Sequence, residues 1–156
     1  MGAGVTSFLC NELGHQCDGA APATRAPTGM VTDVVTYSSC VANDFVASLT
    51  PVATFVAAIK GLKRDPAGQI LVTSIQGPAA PYSVHWRQSG VSASELSAYV
   101  AHSCTASNGS FGDPGVRLQS FIDRFGTNGM QFSICDDSFA LALTALATRI
   151  GELIGP

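Results

Sequence analysis

Apolar residues between positions 50 and 153 recur at helical spacing in three segments. In the first, Val52, Phe55, Val56, Ile59 and Leu62 fall at positions i, i+3, i+4, i+7 and i+10. The other two stripes are Leu118, Phe121, Ile122 and Phe125, and then Phe139, Leu143, Leu146, Ile150 and Leu153. The spacing predicts helices over about 51–62, 114–125 and 138–153. We expect the stripe of the last helix to lie in the core.

Two short apolar runs lie between these helices and predict buried strands. Residues 70–75 form an apolar run with several β-branched residues, and residues 130–135 form a second short run. The long stretch 77–113 is predicted to be a connection with a short helix near 94–100, and Asp113 is predicted to cap the following helix. Helices alternating with strands indicate an α/β fold with parallel strands joined by crossovers.

The first 45 residues lack a sustained period of either kind and predict an irregular, cysteine-stapled segment. A short extended piece is expected within residues 30–36, where valines are frequent. We therefore expect one domain in two parts, an irregular segment over 1–45 and an α/β portion over 46–156.

The composition excludes several classes of partner. Only 12% of the residues are charged, and 8 Lys and Arg stand against 11 Asp and Glu, which argues against a nucleic-acid-binding surface. The apolar runs are too short for a membrane span. Five cysteines without a Cys-x-x-Cys pair favour disulfides over a zinc site, and hence an extracytoplasmic location, although the first residues do not resemble a signal peptide.

Candidate chemistry is sparse along the chain. A small secreted hydrolase would have to use Ser110 or Cys104 with His102, but a nucleophile-elbow motif is missing around Ser110, which fits a turn better. The consecutive residues His85, Trp86 and Arg87 form a candidate recognition surface, since Trp and Arg are frequent at binding hot spots. We expect no catalytic residue, no metal ligand and no cofactor.

Small-residue and apolar motifs along nearly the whole chain resemble a known family. They run from Phe8 to Asp18, Phe55 to Pro66, Ile70 to Pro78, His102 to Cys104, Asp113 to Leu118, Phe125 to Gly126 and Ser133 to Phe139. This pattern resembles the C-terminal part of von Willebrand factor A-like domains from secreted or lipid-anchored bacterial proteins, especially of myxobacterial type. The resemblance implies an open, mostly parallel sheet with helices on both faces and a role in adhesion. The Asp-x-Ser-x-Ser motif of that family's metal site is absent, so the resemblance implies no metal ligand in this chain.

From the resemblance we expect a non-catalytic extracytoplasmic binding or adhesion domain whose partner is an unknown protein or surface ligand. The hydrolase described above is the alternative, and a truncated fragment without independent function is another. Because the matched motifs cover only about the second half of such a domain, the missing N-terminal half of the domain is a further candidate partner.

The cysteines are expected to form two disulfides. A helix of about twelve residues rises about 18 Å, and the strand that follows it returns the chain by a similar length, which brings Cys135 towards Cys104. Cys17 and Cys40 flank the Gly- and Pro-rich stretch that most needs a staple, and we pair them. Cys10 is then left over, which fits a partner in the missing half that the resemblance implies.

Overall fold

The structure is a computed structural model that describes residues 7–22, 34–88 and 96–155. It is a mixed α/β fold. Its α-helices are α1 (Ser7–Gly14), α2 (Val52–Lys60), α3 (Pro66–Gln69), α4 (Val116–Asp123) and α5 (Ala140–Ile154). Its strands are β1 (His15–Cys17), β2 (Val34–Tyr37), β3 (Cys40–Ala42), β4 (Val72–Gln76), β5 (Tyr82–Gln88), β6 (Leu96–Val100), β7 (Cys104–Thr105), β8 (Phe111–Gly112) and β9 (Gly129–Ser133).

The strands form four small sheets within these described ranges. Strands β2, β5 and β6 make a three-stranded antiparallel sheet, and β1–β3 and β7–β8 are antiparallel pairs. Strands β4 and β9, the two that the apolar runs predicted, pair in parallel, and α4 packs against both of them. The observed sheets are therefore mainly antiparallel, with one parallel pair of the kind that the sequence pattern predicted.

The core lies on one face of the three-stranded sheet. Alternate residues of β5, namely Tyr82, Val84 and Trp86, point to this face and are buried, as the period of two of a strand requires. Phe8 of α1 and Val116 of α4 pack against them from two helices. Elements that are far apart in the sequence are thus joined around one apolar cluster.

The described part of residues 1–45 differs from the predicted irregular segment, because it holds α1 and three short strands. Strand β2 pairs with β5, so this segment contributes to the main sheet. Cys17 and Cys40 face each other in the β1–β3 pair and are joined by a disulfide. The predicted extended piece falls partly on β2, while residues 30–33 lie outside the described residues.

The predicted long connection over 77–113 is wrong, since it holds β5, β6, β7 and β8. The predicted helix near 94–100 is also wrong, because residues 96–100 form the edge strand β6. The register pairs Tyr99 with His85 and Ala98 with Trp86, and this cross-strand pairing with β5 decides the conformation.

The predicted cap of α4 is wrong, and the N-terminus of α2 is held by a distant residue. Asp113 does not cap α4, whose N-cap is Gly115 without a side-chain hydrogen bond; the Asp113 carboxylate instead pairs with His102 at 2.7 Å. The N-terminus of α2 is held by Asp44, eight residues upstream, which accepts a hydrogen bond from the Val52 amide at 2.7 Å. Because Asp44 lies eight residues before Val52, a local capping motif in the sequence does not reveal this contact.

Helix α5 begins near the predicted position, but its apolar stripe is not in the core. Leu143 is 60% exposed, and of this helix's described side chains the small Ala142 is the one classed as buried. Arg149 instead holds the helix to the body by donating to Asn128 Oδ1 at 2.6 Å. Among the helices that the structure describes, none has the length and apolar character needed to cross a membrane.

Candidate functional site

The polar centre of the molecule is a cluster of three side chains, Asn11, His15 and Tyr82. The Tyr82 hydroxyl donates to Asn11 Oδ1 at 2.7 Å, and His15 Nδ1 lies 3.0 Å from the same oxygen and 3.2 Å from the Tyr82 oxygen. Because the single Tyr82 proton is used on Asn11, the His15 Nδ1 atom acts as the donor and Nε2 is left as an acceptor. Helix α1 supplies Asn11, β1 supplies His15 and β5 supplies Tyr82.

Burial fixes the protonation states of this cluster. Burial, with a smaller contribution from the positive charge of Arg117, lowers the pKa of His15 from 6.5 to about 4. Burial also raises the pKa of Tyr82 well above its usual value, with a smaller contribution from Tyr37. Both side chains are therefore neutral at pH 7, which is the state in which their hydrogen bonds hold α1 to the sheet.

A cavity of about 350 Å³ adjoins this cluster, between α1, the end of β6 and the start of α4. Its wall includes Cys10, Asn11 and His15 on one side and residues 113–118 on the other. Cys10 is an exposed free cysteine. The cavity thus brings together a thiol, an amide, a neutral imidazole and one cation, Arg117.

A second concave surface, the α2–α4 groove, is almost entirely apolar. It has a volume of about 370 Å³ and is lined by Val52, Phe55, Ile59, Arg117, Leu118 and Phe121. Phe55 is 52% exposed and Leu118 is 55% exposed. Large apolar side chains that remain accessible in a continuous groove are characteristic of interaction surfaces.

The candidate surface of His85, Trp86 and Arg87 is not presented as one patch. Trp86 is buried in the core, whereas His85 stacks on Tyr99 with ring centroids 5.3 Å apart. Neighbouring residues of a strand point to opposite faces, so His85 and Trp86 are not on the same surface. The Arg87 side chain lies outside the described part of the structure.

The hydrolase candidates do not assemble into a nucleophile and base. Cys104 is joined to Cys135 in a disulfide, and the Ser110 hydroxyl donates to Asn108 Oδ1 at 2.6 Å within the β7–β8 turn. His102 pairs with Asp113 and stacks on Phe111, with ring centroids 3.6 Å apart. The structure therefore gives His102 a carboxylate and an aromatic partner rather than either predicted nucleophile.

The two disulfides are the predicted pairs, Cys17–Cys40 and Cys104–Cys135, with Cys10 left free. They indicate an oxidising environment. Within the described ranges, His, Cys, Asp and Glu do not form a group of three or more suited to hold a metal ion.

The cluster and the cavity around Asn11 were not predicted from the sequence. Asn11 and Tyr82 are separated by 71 positions, and no local pattern connects them. Comparison of the chain with known protein families, with curated proteins and with solved structures finds no match.

Proposed function

We propose that this protein is a non-catalytic, extracytoplasmic binding domain that takes up an amphipathic, acidic helix of a partner protein in its α2–α4 groove. The observation that carries the proposal is the exposure of Phe55 and Leu118 in a groove between two helices. A third helix laid between two others buries its apolar side by ridges-into-grooves packing, which is a common mode of peptide recognition.

The charge around the groove selects the partner's polar side. The chain as a whole has a net charge of −3, yet α2, α4 and the residues that directly follow these two helices carry five of its eight basic residues. They are Lys60, Lys63, Arg64, Arg117 and Arg124. Arg124 is paired with Asp44 and the Lys60 ammonium donates to the Arg124 carbonyl oxygen, whereas Arg117 lines the groove itself. An acidic partner gains both association rate and specificity from these positive charges.

The finer assignment to a von Willebrand factor A-like architecture is part of the same proposal. It is supported by the motif resemblance and by the parallel pair β4–β9 with α4 packed on it. The antiparallel sheet of β2, β5 and β6 departs from that architecture. Secretion is supported by the two disulfides, since such bonds persist in oxidising compartments.

The test is a selection of helical peptides from a random library against the intact disulfide-bonded protein. We expect selected peptides to combine apolar residues at i, i+4 and i+7 with acidic residues. Their affinity should fall at least tenfold for Phe55→Glu, which places a charge in the groove, and less than twofold for Leu141→Glu. Leu141 is a matched control because it is 83% exposed on α5, outside the groove.

Three outcomes would contradict the proposal. They are selection of basic peptides, selected binders that are equally insensitive to both variants, and failure to select any binder. Binding of vesicles of anionic lipid, with loss on Phe55→Glu, would assign the groove to a membrane surface instead of a protein.

A further inference from the structure

The cavity beside Asn11 carries a second inference; the cavity shares Arg117 and Leu118 with the α2–α4 groove, but the inference rests on different observations. Asn11 is 3% exposed and lines this cavity. Its Nδ2 atom is buried, and no hydrogen-bond partner for it is present in the described part of the chain. A buried amide donor without a partner costs about 1–3 kcal/mol, so such a group points to a ligand acceptor.

The start of α4 forms the opposite wall of the cavity. This eight-residue helix has Gly115 at its N-cap, and no side chain of the described residues accepts from its first amides. Gly115, Val116 and Arg117 all line the cavity. The Gly115 amide donates to the Gly77 carbonyl oxygen at 3.3 Å, so the anion is favoured by the amides of Val116 and Arg117 and by the positive end of the helix dipole.

The charges in the wall disfavour a ligand with two negative charges. Arg117 is the cation of the wall, and its guanidinium also donates to the carbonyl oxygens of Thr50 and Asn43. Asp113 is the acidic residue of the wall, and its carboxylate is paired with His102. The neutral His15 adds no positive charge at pH 7. One cation beside a carboxylate suits a monoanion better than a phosphate dianion.

The aliphatic part of the wall determines which kind of ligand body fits the cavity. Val100, Val116 and Leu118 contribute aliphatic surface, and the volume of about 350 Å³ lies at the lower end of the range for ligand pockets, about 300–1,000 Å³. We infer that this cavity binds a small organic monocarboxylate, with the carboxylate between Asn11 Nδ2 and the N-terminus of α4 and the apolar body against these side chains.

The test is a titration of the intact protein with benzoate, followed by the NMR shifts of the Asn11 side-chain amide and the backbone amides of residues 115–117. Benzamide, the neutral analogue, and inorganic phosphate are run in parallel. We expect benzoate to shift these resonances with saturation, and an affinity at least tenfold higher than that of either control. Equal effects of benzoate and benzamide, equal effects of benzoate and phosphate, or no saturation would overturn the assignment.

Asn11→Asp adds a negative charge in the cavity while retaining an oxygen for the Tyr82 hydroxyl. We expect it to weaken benzoate at least tenfold, whereas Asn108→Asp, the same change in the β7–β8 turn, alters the affinity less than twofold. If Asn11→Asp does not fold, alkylation of Cys10 by iodoacetamide decides the question. Benzoate should slow this reaction several-fold and benzamide should not; the absence of that difference contradicts the site.

Discussion

Two regions of the molecule treat their large apolar side chains in opposite ways. In the antiparallel region (α1, β1–β3, β5 and β6), Tyr82, Val84 and Trp86 are buried on one face of a sheet. In the parallel region (α2, α4, α5, β4 and β9), every residue of β9 is only partly buried, and Phe55 and Leu143 are more than half exposed.

The two regions differ in how many neighbouring elements cover their sheets. The antiparallel region closes its sheet with a helix and with strands from the N-terminal and middle parts of the chain, and it carries the Cys17–Cys40 disulfide. The two parallel strands have too few neighbours to bury both faces, since a parallel sheet is normally covered on each side. Apolar surface left open in this way fits the proposed helix-binding role of the α2–α4 groove.

The largest expected effect is on the core of the antiparallel region. Trp86→Ala should lower the free energy of unfolding by about 3–5 kcal/mol, because it removes a buried indole from the apolar cluster. Phe45→Ala is the matched aromatic control; Phe45 is 94% exposed, so its loss should change the stability by less than about 0.5 kcal/mol. Urea denaturation measures both.

Similar losses for Trp86→Ala and Phe45→Ala would contradict the division into a buried and an open region. Trp86→Phe sharpens the result, because the Trp86 Nε1 atom has no hydrogen-bond partner among the described residues. Phe therefore removes no hydrogen bond, and we expect it to cost less than the alanine variant.

The second prediction uses the pH dependence of the antiparallel region. The pKa of His15 is about 4 in the folded protein and 6.5 in the unfolded chain, so below pH 6.5 the unfolded state takes up the proton first. The free energy of unfolding should therefore fall as the pH drops from about 6.5 to 4, by up to about 3 kcal/mol, and this contribution is fully retained above pH 6.5.

Urea denaturation at several pH values measures this loss, and His15→Gln isolates it from the titration of carboxylates. The difference in stability between wild type and His15→Gln should shrink over this pH range. His102→Gln is the control, because His102 is half-exposed and bonded to Asp113 instead of to the buried cluster. A constant difference between wild type and His15→Gln would show that His15 is not held neutral by burial.

The sequence predicted the parallel region better than the antiparallel one. The stripe of α2, the runs of β4 and β9 and the two cysteine pairs are local or short-range signals, and all have counterparts in the structure. The conformation of β6 is decided by its pairing with β5, and the Asn11–His15–Tyr82 cluster joins residues up to 71 positions apart; periodicity reveals neither contact. Burial of the α5 stripe was predicted wrongly because an apolar period indicates which face is apolar, not whether another element covers it.

The smallest expected effects separate the polar anchor of α5 from its apolar stripe. Asn128 is 4% exposed, donates to the Ile70 carbonyl at 2.8 Å and accepts from Arg149 at 2.6 Å. Arg149→Met retains much of the aliphatic stem but leaves the buried Asn128 oxygen without a partner, which should cost about 1–3 kcal/mol. Leu143→Ala should cost less than about 0.5 kcal/mol, because that side chain is 60% exposed. Thermal and urea unfolding compare the two variants; a loss above about 2 kcal/mol for Leu143→Ala would mean that the stripe is covered in solution, by a second copy of the chain if the loss depends on protein concentration.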